Sequence, residues 1–191
     1  IKWIIAIIIV NLEILRSSLS SKIDPVLEHY GTNKLASILV VIYGSDPIIL
    51  MTEKPKHLKF HAGEISFPGG KFDSDDSNLL ETALRETREE IGLSISKNQV
   101  IGQLEPVVTL NSGFTILPFV SIIDEIESLS ANSEVETILH IPLTSFLKTM
   151  ADDQNPLHKR IQEMYTFEYQ NKIIWGASAR ILKQIVHRLN S

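Results

Sequence analysis

The 191-residue chain contains no cysteine. Disulfide staples, thiolate nucleophiles and Cys-based zinc or iron–sulfur sites are therefore excluded. A cysteine-free chain suits a reducing compartment, and a cytoplasmic location is expected. Excess positive charge is also missing: 18 Lys and Arg stand against 23 Asp and Glu, a formal charge of -5. The surface as a whole offers little non-specific attraction to nucleic acid or anionic membrane, so no nucleic-acid partner is expected and an anionic ligand needs a local basic patch. Nor is any run long enough to span a bilayer. Residues 3–10 are the most apolar stretch, yet Asn11 and Glu13 interrupt it, far short of the ~20 residues a span requires. This run is expected to be a packed helix or strand, or upstream sequence, rather than a targeting peptide, because no small-x-small cleavage site follows it and the chain starts at Ile. What the chain does have is 43% hydrophobic residues with only 9 Gly and 8 Pro, which excludes collagen, wholesale disorder and a coiled coil and predicts one well-buried domain.

From Asn11 to Tyr30 apolar residues recur at helical spacings broken by Pro25, predicting one or two short helices in an apolar N-terminal extension over residues 1–30. The main domain is expected over 31–191. Lys34 to Tyr43 is a continuous apolar run rich in β-branched residues, and Gly44-Ser45-Asp46-Pro47 turns it into Ile48 to Met51, so a buried strand pair is predicted. The segment from Glu53 to Gly63 loses periodicity but holds Lys54, Lys56, His57, Lys59 and His61, the most basic stretch of an acidic chain. A short strand over 64–67 then leads to the turn Pro68-Gly69-Gly70, and residues 73–77 supply candidate N-caps. Asn78 to Ile91 is predicted as a helix ended by Gly92. Further strands are expected at 100–108, 115–123 and 135–141, a short helix at 142–150 and a loop at 152–156. Residues 165–169 and 172–175 form a strand pair turned by Gln170-Asn171, and 177–189 an amphipathic closing helix.

At 100° per residue, Leu80, Leu84, Thr87 and Ile91 fall within a narrow arc and are expected to be the buried face of the 78–91 helix. Glu86, Glu89 and Glu90 share the adjoining arc at i, i+3 and i, i+4 spacing, which brings three carboxylates onto one surface. Left alone they repel, and Glu90, nearest the apolar face, needs a partner of opposite sign. Hard oxygen ligands in such a group are what a divalent cation requires.

Gly70 with Arg85-Glu86-Thr87-Arg88-Glu89-Glu90-Ile91-Gly92-Leu93 resembles the Nudix box, whose second half reads Arg-Glu-apolar-x-Glu-Glu-x-Gly-apolar. The first half departs from the general pattern. The step from Gly70 to Arg85 is one residue longer, Thr87 replaces an aliphatic residue, and Asp76 or Ser77 stands where a Glu is expected. In these departures the chain is similar to the coenzyme A pyrophosphatase branch, with Gly69-Gly70-Lys71-Phe72-Asp73 followed by Thr82-Ala83-Leu84-Arg85-Glu86 and an upstream Gly63-Glu64-Ile65-Ser66-Phe67-Pro68-Gly69-Gly70. Ser112-Gly113-Phe114, Pro118-Phe119-Val120, Ile141-Pro142-Leu143 and Ile174 to Leu182 also look like that branch. Glu53-Lys54 replaces an arginine expected after the strand. The resemblance runs from about Leu35 to Leu189.

This resemblance implies an α/β fold, a Nudix-type α/β/α sandwich with a mixed β-sheet. It also implies metal-dependent hydrolysis of coenzyme A or a derivative at its diphosphate, giving adenosine 3′,5′-bisphosphate and 4′-phosphopantetheine. Glu86, Glu89 and Glu90 would hold Mg2+ or Mn2+, with the Gly69 carbonyl as a further ligand; Glu89 is the candidate general base and Arg85 pairs with a catalytic carboxylate. Lys54, Lys59, His61, Lys71 and Phe114 are the candidate substrate-binding residues, the basic ones because coenzyme A is rich in phosphate. Zinc at His57 and His61 is not expected. Trp175, Phe167 and Tyr169 read as core residues and Ser178 lacks a nucleophile's partners. The partner is a small nucleotide, no stable membrane span is expected, and homodimerisation is left open. Another nucleoside diphosphate derivative, such as ADP-ribose, NADH or a dinucleoside polyphosphate, and a catalytically silent nucleotide sensor remain the alternatives.

Overall fold

The continuous apolar run becomes the centre of the molecule. In the computed structural model, which describes residues 10–27, 33–57, 62–109, 112–154 and 164–191, strand β1 spans Lys34–Tyr43. Its side chains alternate, with Ile38, Val40 and Ile42 in one core and Leu39 and Val41 in another. A strand buried on both faces needs an unbroken hydrophobic sequence, which is why no polar alternation marks it. The expectations for residues 3–9, Lys59, His61 and residues 155–156 lie outside the described residues.

In chain order, α1 (Leu12–Leu19) precedes β1, which turns into β2 (Ile48–Glu53), β3 (Ile65–Ser66) and β4 (Gly69–Lys71). Helix α2 (Leu79–Ile91) follows, then β5 (Val100–Gln103), β6 (Val107–Val108), β7 (Phe114–Ile123) and β8 (Thr137–Pro142). The chain closes with α3 (Leu143–Leu147), β9 (Ala151–Asp152), β10 (Tyr165–Tyr169), β11 (Lys172–Ile174) and α4 (Gly176–Leu189). The main sheet runs β3-β2-β1-β7-β5, with β4 also on β1, β6 on β7 and β8 on β2; β9, β10 and β11 form a second sheet. β1 and β7 pair in parallel from Lys34↔Phe114 to Tyr43↔Ile123, while β1 meets β2 and β4 antiparallel. The sheet is therefore mixed.

Leu15 and Leu19 of α1, Phe146 of α3 and Ile181, Leu182 and Ile185 of α4 pack on one face. Leu79, Leu80, Ala83 and Ile91 of α2 pack on the other. The expected α/β/α sandwich is thus present. Three local expectations differ. The predicted strand 100–108 breaks into β5 and β6 around Pro106, which lacks a ladder donor. Ala151–Asp152, half expected as loop, pairs with β10. The helix of 142–150 shortens to α3, having no side-chain cap at Pro142.

Candidate active site

Helix α2 starts where the Asn78 side chain accepts hydrogen bonds from the N–H groups of Leu80 (3.0 Å) and Glu81 (3.1 Å). It stops at Gly92, left-handed at φ 71. The following segment takes up its last carbonyls: Ser130 N–H donates to Ile91 O at 3.0 Å and Asn132 N–H to Glu90 O at 2.9 Å. The buried face holds Leu79, Leu80, Thr82, Ala83, Thr87, Glu90 and Ile91. Leu84, expected on that face, is only half-buried at its edge. The helix lies against both β1 and β4.

The three glutamates diverge in environment. Glu90 is 3% exposed; it accepts a hydrogen bond from Gly69 N–H at 3.1 Å and from Lys54 Nζ at 3.4 Å. Glu86 is half-buried and accepts from Arg85 Nη1 at 3.0 Å, while Glu89 faces solvent and accepts from the same nitrogen at 3.1 Å. Burial pushes the carboxyl groups of Glu86 and Glu90 up from the ordinary value, outweighing Arg85 in the first case and Lys54 in the second. Lys54, a candidate substrate ligand, is thus engaged with Glu90 and, at 3.8 Å, with Glu134.

The Pro68-Gly69-Gly70 segment, read from the sequence as a turn, pairs through Gly69 and Gly70 with β1 as part of β4, and this cluster shapes it. Gly69 sits at φ +147, and a Cβ there would lie 2.3 Å from the Ser37 carbonyl oxygen. A Cβ on Gly70 would lie 2.4 Å from Glu86 Cδ. Both glycines are needed to let backbone and carboxylates meet.

Arg85 is held from the other side by Asp76, whose two oxygens accept from Nε and Nη2, each at 2.9 Å. The sequence left Asp76 and Ser77 as equivalent choices; the bidentate pair singles out Asp76. Its carboxyl is lowered to about 2, chiefly by the hydrogen bonds from Arg85, and Arg85 is raised in turn. Sequence reasoning also missed the buried Glu53, which accepts from Lys172 and ties β2 to β11. Nothing local to Glu53 signals this.

A pocket of about 320 Å³ opens beside Gly69 and Gly70. Its walls are mostly apolar, including Ile38, Phe67, Phe114 and Ile116, with Lys71, Ser178 and Arg180 among the polar groups. Lys71 and Phe114, both expected at the substrate, do meet: Lys71 Nζ stands 5.9 Å from the Phe114 ring centroid. Trp175 is not core as expected but lines this pocket, 39% exposed, whereas Phe167 is fully buried. A polar groove of about 470 Å³ flanks Arg85 and Arg88; there Asp76 neutralises Arg85, and Glu81 pairs with Lys97.

Among the described residues, no three acidic or imidazole side chains converge in a metal-holding arrangement. The donor chemistry nevertheless fits a hard divalent cation: two partly desolvated carboxylates, with a third exposed one on the same helix, lack full compensating charge.

Comparison with known families places a NUDIX domain over residues 33–160, and the chain belongs to the Nudix family of hydrolases, which act on nucleoside diphosphate derivatives. It is 34% identical over 163 residues to "Uncharacterized Nudix hydrolase NudL" of Yersinia enterocolitica, covering 84% of this chain and 83% of that protein. Among solved structures it is similar to a MutT/nudix family protein from Enterococcus faecalis, with a TM-score of 0.60, 16% identity and 86% of this chain covered. The match spans 64% of that protein, less than two thirds of its length. It also resembles a bifunctional NMN adenylyltransferase/ADP ribose pyrophosphatase from Francisella tularensis, complexed with AMP and a Mn ion. There the TM-score is 0.53 at 14% identity, covering 85% of this chain and 43% of the other. No helix among the described residues is long and apolar enough to cross a membrane.

Proposed function

We propose that the protein hydrolyses the diphosphate of coenzyme A or a derivative, releasing adenosine 3′,5′-bisphosphate and 4′-phosphopantetheine. The observation that carries this reading is the apolar pocket with cationic groups opening beside Gly69 and Gly70, the glycines that abut Glu90 and Glu86. It offers apolar contact for the organic part of such a substrate and counter-charge for phosphate in an otherwise acidic protein. In the groove beside Arg85, that guanidinium is already paired with Asp76.

Glu86, Glu90 and the exposed Glu89, with the Gly69 carbonyl, are the residues that would hold Mg2+ or Mn2+. When bound, such an ion neutralises charge developing on the phosphate oxygens and acidifies the attacking water. Glu89, solvent-exposed and accepting from Arg85 through one oxygen, is the residue assigned to accept the water proton. Arg85 is a positioning residue that holds Glu86 and Glu89 from a single nitrogen while Asp76 fixes its opposite edge. Lys54 holds Glu90, and Lys71 and Phe114 contact substrate from the pocket wall. The cysteine-free chain suits a reducing compartment such as the cytoplasm.

The test is a panel of coenzyme A, acyl-coenzyme A, ADP-ribose, NADH and a diadenosine polyphosphate incubated with Mg2+ or Mn2+, products resolved by mass. Dominant release of 4′-phosphopantetheine is expected, abolished by chelator and restored by either ion. Turnover of another member alone would overturn the substrate, and silence with nucleotide binding would favour a sensor.

A further inference from the structure

The pocket holds a cation, Arg180, to which the hydrolytic reading assigns no particular group of the substrate. Arg180 stands half-buried on α4, and its guanidinium donates from Nη1 to the Val108 carbonyl oxygen at 2.6 Å. No carboxylate among the described residues pairs with it. Burial alone lowers its affinity for its proton, as expected of a cation without counter-charge. A partly desolvated, uncompensated guanidinium in a chain of charge -5 is disfavoured unless a ligand completes it. Lys71, which reaches over Phe114 in the same pocket, also lacks a carboxylate partner among the described residues. Glu64 lines the pocket too, and it has a partner of its own.

The sheet sets how far Arg180 lies from the scissile group. Gly70 is opposite Ser37 on β1, Ala36 of β1 is beside Ile116 on β7, and Ile116 is opposite Val107 on β6. β4, β1, β7 and β6 thus lie side by side. Three inter-strand spacings of ~4.8 Å separate the Gly70 backbone, which abuts Glu86, from the Val108 carbonyl by about 14 Å. A diphosphate engaged at the glutamates cannot extend that far, so a different part of the substrate meets Arg180.

We propose that Arg180, together with Lys71, binds a phosphate monoester carried by the substrate's nucleoside, separate from the diphosphate that is hydrolysed. The proposal rests on the hydrolytic reading for where the diphosphate sits. A guanidinium presents a planar fork that matches phosphate oxygens, and the apolar walls around it strengthen the contact by excluding water. Arg180 is then a specificity residue that selects phosphorylated nucleotides over the same nucleotides without the monoester.

Arg180→Gln removes the charge but keeps a donor for the Val108 carbonyl, and coenzyme A against 3′-dephospho-coenzyme A is the substrate pair that reads it. The KM for coenzyme A is expected to rise at least about tenfold, with kcat for both substrates and KM for the dephosphorylated one unchanged within about twofold. Equal shifts for both substrates, or no shift for coenzyme A, overturn the proposal. Calorimetry on metal-free protein with adenosine 3′,5′-bisphosphate and AMP reads the same contact without turnover. The wild type is expected to prefer the bisphosphate by about tenfold, Arg180→Gln to lose that preference, and Arg180→Lys to recover part of it. No preference in the wild type, or one that survives in Arg180→Gln, overturns it. If the preference is present while coenzyme A is not hydrolysed, the hydrolytic reading fails and the role of Arg180 stands.

Discussion

Glu90 shows what a single residue at this site gives up. Its carboxylate is buried, held by Gly69 N–H and Lys54, and burial pushes it toward the neutral form. Glu90→Gln keeps an acceptor for Gly69 and removes the desolvated charge. Thermal melting is therefore expected to be unchanged or raised, while turnover falls at least about a hundredfold. Melting curves and initial rates on the same preparation check this, and wild-type-like turnover would discard the metal-holding role of Glu90. The adjacent glycines should separate in the same way. Gly69→Ala forces a methyl onto the Ser37 carbonyl and the Ile38 backbone at φ +147, neither of which can yield. Gly70→Ala meets first the carboxylate end of the Glu86 side chain, which can shift. We expect Gly69→Ala to lower stability by at least about 2 kcal/mol in urea unfolding. Gly70→Ala should fold normally yet lose activity by at least about tenfold, because the displaced carboxylate is a functional one. Equal stability losses would show that the turn, and not its contact with Glu86, is what the second glycine serves.

At the scale of elements, α2 is pinned by contacts from three sides. Asn78 caps its start, the segment after Ile126 closes its end, and Asp76 clamps Arg85 while also accepting from Thr82 Oγ1 at 2.8 Å. The Asp76 carboxyl is lowered to about 2, below the usual range. Its stabilisation is therefore fully present at neutral pH and begins to fall near pH 4, where an unfolded Asp titrates. It is lost as pH falls through about 2. Asp76→Asn is expected to destabilise by about 2–3 kcal/mol at pH 7 in denaturant titrations, the loss of a charge-assisted bidentate pair. The gap between variant and wild type should close progressively between about pH 4 and pH 2. A gap independent of pH would mean that Asp76 acts through shape alone.

At the scale of the molecule, the segment before β1 joins both layers. Leu15 and Leu19 are fully buried against the sheet and α4, Ser21 N–H donates to Ile101 O at 3.2 Å, and Leu79 N–H donates to Pro25 O at 3.2 Å. A Cβ on Gly102 would fall 2.4 Å from the Leu19 carbonyl oxygen, so the end of α1 approaches β5 closely. Leu15→Ala is expected to cost about 2–5 kcal/mol and to lower Tm by at least about 5 °C, with KM unchanged because the helix lies away from the pocket. Differential melting with substrate kinetics tests this; an unaltered Tm would make α1 an appendage.

How much was legible follows from how local each signal is. The limits of β1 and α2 could be read because an apolar run ends at a turn and a helix ends at its caps, all within a few residues. The Arg85–Glu90 spacing likewise placed the glutamates on one helix. That Glu90 is buried and Glu89 exposed could not be read from spacing, since it depends on β4 and Lys54. The same holds for Asp76 over Ser77, for Leu84 at the edge of its face, and for Trp175 at a pocket wall instead of in the core. By itself, then, the sequence determined the mixed α/β composition, the helix that carries the glutamates and the need for glycine before it. The tertiary structure alone decided which carboxylates lose water, which cation each one meets and where Arg180 stands. Periodicity and capping act between neighbours along the chain, whereas burial and ion pairing join residues as far apart as Glu53 and Lys172.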